Sequence, residues 1–87
     1  MSTRVAVISI IVEQGGDVDA LNKILSDSSE YIIGRMGIPY REKGVSIISV
    51  AIDAPQPIIS AISGKIGNLE DVTAKATYSN VITEVEG

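Results

Sequence analysis

The segment GRMGIPYREKG, residues 34–44, gathers the most distinctive polar side chains of this sequence. Arg35, Arg41 and Lys43 are three of its seven basic residues, and they lie near Tyr40 in a chain of net charge −4. Arginine and tyrosine side chains recognise anions and partner surfaces through charge-assisted hydrogen bonds and apolar contact. The segment is therefore interpreted as a subunit contact, as a site for an anion or acidic partner, or as a solvated hairpin loop.

A second candidate site is a pair of glycines, Gly15 and Gly16, directly before a predicted helix. Glycines at the start of a helix leave backbone N–H groups accessible to a carboxylate. The alternative is an ordinary turn that connects a strand to a helix.

The residue types that are missing exclude several chemistries. There are no cysteines and no histidines, so disulfides, thiolate nucleophiles, imidazole bases and Cys/His metal sites are excluded. Four of the serines, at positions 9, 49, 60 and 63, have no neighbouring base to activate them. We expect no catalytic residues, no metal site and no cofactor.

Length and charge restrict the class of protein. A chain of 87 residues predicts one domain that buries only roughly 60–65% of its unfolded surface, so association helps to stabilise it. The negative net charge argues against a nucleic-acid groove, which needs clustered basic residues. Because no apolar run of ~18 residues and no signal-sequence pattern occurs, we expect a cytoplasmic protein that is not in a membrane.

The apolar pattern predicts two helices between strands. Asp17 is placed to cap a first helix, and a second runs from Pro55 to Gly67, where Gly67 would adopt a left-handed cap conformation. Four strands are predicted from β-branched or alternating runs, over residues 4–12, 31–38, 45–52 and 72–78.

The order βαββαβ predicts the ferredoxin-like α+β fold, in which a four-stranded antiparallel sheet carries two helices on one face. Residues 1–79 form this single domain, and residues 80–87 are expected to be a flexible C-terminal tail.

The predicted sheet has an unusually apolar outer face. Strands one and three lie side by side at its centre, and their outward residues are largely aliphatic where an open sheet face is normally polar. Large apolar patches mark interfaces, so we expect a homo-oligomer, a dimer or tetramer, through this face. The alternative is that β-branched residues only favour strand backbone. The expected interface residues are Val5, Val7, Ile11, Val45 and Ile47.

Three stretches, RVAVISIIVE, YIIGRMGIPYREKGVSIISVAIDAP and ISAISGKIG, together resemble small regulators of the iron-only hydrogenase system. The resemblance spans residues 4–79. It implies a ferredoxin-like domain related to ACT domains and to the C-terminal part of the nickel-responsive repressor, which oligomerise and sense small ligands. The His and Cys metal ligands of that repressor are absent from this chain.

The resemblance to ACT domains also implies a ligand site. In ACT domains an acid, two further residues and a glycine before the first helix receive an amino acid at a subunit interface. Glu13, Gly15 and Gly16 occupy similar positions, with Gly15 in place of the usual proline.

Two functions remain open at this point. The first is a ligand-responsive oligomeric regulator that binds an amino acid or a small anion. The second is a structural or adaptor oligomer that docks on a hydrogenase-maturation partner.

Overall fold

The fold is seen in a computed structural model that describes the backbone of residues 2–84 and the side chains of residues 2–81. The elements follow the predicted order βαββαβ, so the predicted ferredoxin-like α+β fold is confirmed. Their bounds are β1 Ser2–Val12, α1 Val18–Asp27, β2 Ile32–Tyr40, β3 Val45–Ala54, α2 Gln56–Gly67 and β4 Val72–Glu84.

The four strands form one antiparallel sheet in the order β2-β3-β1-β4. β1 and β3 are therefore the central pair, as predicted, with Ile11 opposite Ile47 and Val7 opposite Ala51. Residues that face each other across such a pair point to the same side of the sheet. The register thus assigns each side chain of the two strands to one of two faces.

The core lies between the sheet and the two helices and is entirely aliphatic among the buried residues. Burying a leucine, isoleucine or valine side chain contributes about 1.5–3 kcal/mol to stability. α1 and α2 supply Leu21, Leu25, Ile59, Ile62 and Ile66, and β1 and β3 supply Ala6, Ile8, Ile10, Val12, Ile48, Val50, Ile52 and Ala54.

α1 begins where the sequence predicts. The Asp17 side chain accepts a hydrogen bond from the Ala20 N–H at 2.9 Å, which satisfies one of the unpaired donors of the first turn. Neither α1, of 10 residues, nor α2, of 12 residues, is long enough to cross a bilayer, and no other α-helix occurs in residues 2–84.

The predicted end of α2 is wrong in its geometry. Gly67 is the last helical residue but is not left-handed, because the Asn68 N–H donates to the Gly64 carbonyl and continues the right-handed turn. The left-handed residue is Asp71, with φ of 60°, directly before β4. The chain reversal therefore comes four residues later than predicted.

β4 is longer than the sequence pattern predicts. It extends past Tyr78 to Glu84, so residues 80–84 of the expected tail are strand residues; residues 85–87 lie outside the described part of the chain. Residues 79–81 form an irregularity opposite the single residue Val5. The polar pair Ser79 and Asn80 falls there and interrupts the apolar alternation that predicted the strand.

Arg4 holds this irregularity in place. Its guanidinium lies 4.8 Å from the centre of the Tyr78 ring, and its Nη2 donates to the Ser79 carbonyl at 2.8 Å. Its Nη1 donates to the Gln56 side chain of α2 at 3.2 Å. A single side chain therefore joins β1, the bulged segment of β4 and the start of α2.

Candidate functional site

The open face is the side of the sheet opposite the helices, and it carries most of the exposed large apolar residues. The five residues predicted from the sequence lie there: Val5, Val7, Ile11 and Ile47 are exposed and Val45 is half-buried. Exposed apolar side chains this closely grouped are typical of an interaction surface.

β2 enlarges the open face in a way that the sequence analysis missed. Met36, Ile38 and Tyr40 stand opposite residues of β3 that belong to the open face, and Met36 and Ile38 are 63% and 55% exposed. A register shift between Ile32 and Gly34 breaks the alternation at the start of the strand. The alternation of Met36, Ile38 and Tyr40 in the sequence could have indicated that these three residues share one face of the sheet.

The open face is nearly neutral. Among the strand residues whose side chains are described, Asp53 of β3 and Lys75 of β4 are its two charged members; Asp53 is paired with Val5 and Lys75 with Ser9. Among the described side chains, the open face therefore carries one acid, one base and no net charge. One lysine offers little to a phosphate backbone.

The Arg, Lys and Tyr side chains of residues 34–44 lie in three different places: the open face, the turn after β2 and the helix side of the sheet. β2 continues to Tyr40, so its connection to β3 is Arg41–Gly44 and not the predicted residues 39–44. Gly44 closes the connection at φ of +67°. Tyr40 lies on the open face and its hydroxyl lies 3.1 Å from Glu42, while Arg41 and Lys43 lie in the turn.

Arg35 points to the other side of the sheet from Tyr40. It stands opposite the buried Val50, and its Nη2 donates to the Asn22 side chain of α1 at 3.0 Å. Five strand steps, about 17 Å at 3.3 Å per residue, separate Arg35 from Tyr40, and Arg41 follows in the turn. The structure therefore does not bring Arg35 together with Arg41 and Lys43.

The candidate turn before α1 uses its own backbone groups. The Gly16 N–H donates to the Glu13 carbonyl at 2.9 Å, and the Glu13 N–H donates to the Asp71 carbonyl at 2.8 Å. Gly15 has φ of +97°, and a Cβ added to Gly16 would lie 2.5 Å from the Val12 side chain. These contacts account for both glycines without a ligand, and the adjacent carboxylate of Asp71 repels an anion.

A small groove lies on the helix side of the sheet, between α1 and β2. Its volume is about 170 Å³, below the roughly 300–1,000 Å³ typical of sites for drug-sized ligands. Among the described residues that line it, Arg35 is the one with a charge, and none is acidic. The lining residues are Val18, Asn22, Arg35, Gly37, Ile38, Pro39, Ser46 and Ile48.

The structure thus defines a small ferredoxin-like domain with an apolar open face on one side and an Arg-bearing groove on the other. The chain belongs to the TM1266-like family, described as "Iron-only hydrogenase system regulator, putative", whose model matches residues 4–76. The resemblance stated from the sequence is confirmed.

Two of the solved structures that are similar to this chain illustrate the fold. One is the uncharacterized protein TM1266 from Thermotoga maritima, with a TM-score of 0.83, 31% identity, and coverage of 87% of this chain and 96% of that one. The other is a formyltetrahydrofolate deformylase from Pseudomonas putida KT2440, with a TM-score of 0.63, 14% identity, and coverage of 88% and 29%. The second likeness shows the fold alone. No curated protein matches the chain.

Proposed function

We propose that this protein is a non-catalytic regulator of the iron-only hydrogenase system that works as a homo-oligomer and responds to a small anionic ligand. The family description supports the regulatory role. The observation that carries the proposal is the open face, on which three neighbouring strands expose Val7, Ile38 and Ile47 to solvent.

The size of the open face suits a second copy of the chain. Four strands of about ten residues, spaced about 4.8 Å apart, give a projected area of roughly 500–600 Å². This is close to the about 800 Å² of accessible surface that each partner buries in a standard interface. Apolar area removed from water contributes about 25 cal/mol per Å² before the costs of association.

The charges of the open face also favour self-association. Asp53 and Lys75 give the face no net charge, whereas the whole chain carries −4. A second copy therefore meets this face without like-charge repulsion, and one Asp53 can approach the Lys75 of its partner. Exposed apolar surface of this kind explains why a regulator this small would be oligomeric.

The regulatory role is tested in cells that assemble an iron-only hydrogenase. Hydrogen evolution is compared between cells with the natural gene, with the gene deleted, and with a Val7→Glu variant produced at equal level. We expect the deletion and the variant to change hydrogen evolution alike, because the variant places a charge in the open face. Unchanged hydrogen evolution after deletion would contradict the regulatory role. An oligomer that captures a hydrogenase-maturation protein and binds no small anion would instead support the adaptor function.

A further inference from the structure

We propose that the groove between α1 and β2 binds a small aliphatic monocarboxylate, whose carboxylate pairs with Arg35 and whose short apolar chain lies over Gly37. This inference rests on the proposed function, because it names the site and the chemical class of the ligand to which the regulator responds.

Gly37 is the first reason for choosing this groove. It lies inside β2, opposite Ile48, and its φ is not in the left-handed region, so the backbone does not require glycine. A Cβ added there would lie 3.8 Å from the Ile48 side chain, an ordinary contact distance. Glycine weakens a strand interior and often marks a close approach by a ligand. The missing side chain is what leaves the groove open.

Arg35 is the second reason, because it fixes the sign of the ligand's charge. The Arg35–Asn22 hydrogen bond of 3.0 Å links the β2 wall to the α1 wall. Arginine presents several donors in a planar fork that matches a carboxylate. Since none of the described lining residues is acidic, an α-amino acid would bring an ammonium group with no anionic partner. The groove therefore favours a carboxylate without an amino group.

The remaining lining residues set the shape of the ligand. Val18, Pro39 and Ile48 are apolar, and Ser46 offers one hydroxyl. A volume of about 170 Å³ admits a molecule of few heavy atoms. A branched or short aliphatic chain joined to one carboxylate satisfies both the charge and the apolar walls.

The test is an NMR titration of the ¹⁵N-labelled protein with isobutyrate. We expect saturable shifts of the amides of Val18, Asn22, Gly37 and Ser46. Isobutyramide has the same shape without the charge, and L-valine adds an ammonium group. Both should bind about tenfold more weakly than isobutyrate. Isobutyramide has no carboxylate to pair with Arg35, and the ammonium group of L-valine has no acidic partner in the groove.

Two variants with one matched control locate the site. Gly37→Val fills the groove, so isobutyrate should bind at least tenfold more weakly, while the melting temperature rises by a few degrees because valine favours strands. Gly34→Val makes the same change in the same strand, where an added Cβ has no atom within 4 Å outside the adjacent residues, and it should leave the affinity within twofold. Arg35→Gln removes the charge and should weaken binding about tenfold.

Three results would overturn the inference. Isobutyrate produces no saturable shifts; its shifts centre on the Glu13–Asp17 turn or on the cleft between α1 and α2 that Lys23 and Lys65 line; or Gly37→Val binds it as tightly as the natural protein. The proposed function fails on different measurements, a monomeric mass or unchanged hydrogen evolution after deletion. Saturable binding at another site would therefore contradict the proposed groove site without contradicting the proposed regulatory function.

Discussion

Ile38 of β2 lies directly opposite Ile47 of β3, and both side chains are exposed on the open face. This pair joins the edge strand to the central strands in one apolar surface. The segment that looked like a basic hairpin thus contributes mainly apolar residues to the open face, at every second position of β2. Its charged residues belong to the turn and to the groove on the other side of the sheet.

The charges of the open face predict how two copies are oriented. Asp53→Lys should weaken association about tenfold, because it places a lysine against the Lys75 of the partner. The double variant Asp53→Lys with Lys75→Asp should recover the lost affinity, since it restores one pair of opposite charges at each contact. Dilution-dependent sedimentation measures both. A double variant that associates no more tightly than Asp53→Lys alone would contradict this orientation.

Arg4 should stabilise the fold well beyond an ordinary surface charge. Arg4→Met removes the contact with the Tyr78 ring and the hydrogen bond to the Ser79 carbonyl, so we expect a loss of about 1–3 kcal/mol in the free energy of unfolding. Lys23→Met is the control, because the Lys23–Asp27 ion pair is exposed and contributes about 0–1 kcal/mol. Urea titrations compare the two. Equal losses would show that Arg4 contributes no more to stability than an exposed lysine.

The substitutions Gly16→Ala and Gly67→Ala should change the stability of the fold in opposite directions. Gly16→Ala should destabilise the fold, because its Cβ would lie 2.5 Å from the Val12 side chain. Gly67 ends α2 in a right-handed conformation with open space around it, so Gly67→Ala should stabilise by up to about 1 kcal/mol. Thermal unfolding measures both signs. A destabilised Gly67→Ala protein would indicate a left-handed cap after all.

The Asp17 cap gives a quantitative check on α1. Asp17→Ala removes the acceptor of the Ala20 N–H and should cost about 1 kcal/mol, a fall of roughly 4–8 °C in melting temperature. Asp19→Ala is the matched control, since Asp19 is an acid of the first turn rather than the cap. It should cost less, because it loses only a favourable interaction with the helix dipole. Equal falls would contradict the cap.

The sequence predicted the regular parts of this structure well. Side chains of β1 and β3 point alternately to the two faces of the sheet without interruption. The order and central position of these strands, and the five aliphatic residues of the open face, could therefore be predicted from the two-residue repeat and the β-branched residues. The limits came from irregular backbone. The shift between Ile32 and Gly34 hid the apolar residues of β2, and the bulge opposite Val5 hid the end of β4.

The groove could not be predicted, because its evidence is three-dimensional. In the sequence Gly37 lies inside a predicted strand, where a glycine indicates a bulge or a close backbone approach, and only its ordinary φ and the space beside Ile48 show that it leaves a cavity. Arg35 and Arg41 are near in sequence, which predicts one shared site, but alternation along β2 places Arg35 beside α1. No pattern in the sequence indicates that Asn22 is the hydrogen-bond partner of Arg35.

The central claim, self-association through the open face, is tested most directly by sedimentation equilibrium at micromolar concentration without added ligand. The natural protein should have the mass of a dimer or tetramer, and Val7→Glu should reduce it to a folded monomer. Val18→Glu is the matched control, because Val18 is 43% exposed against 40% for Val7 but lies on α1; it should keep the oligomer. A monomeric natural protein, or an oligomer that Val7→Glu leaves intact, would contradict the account.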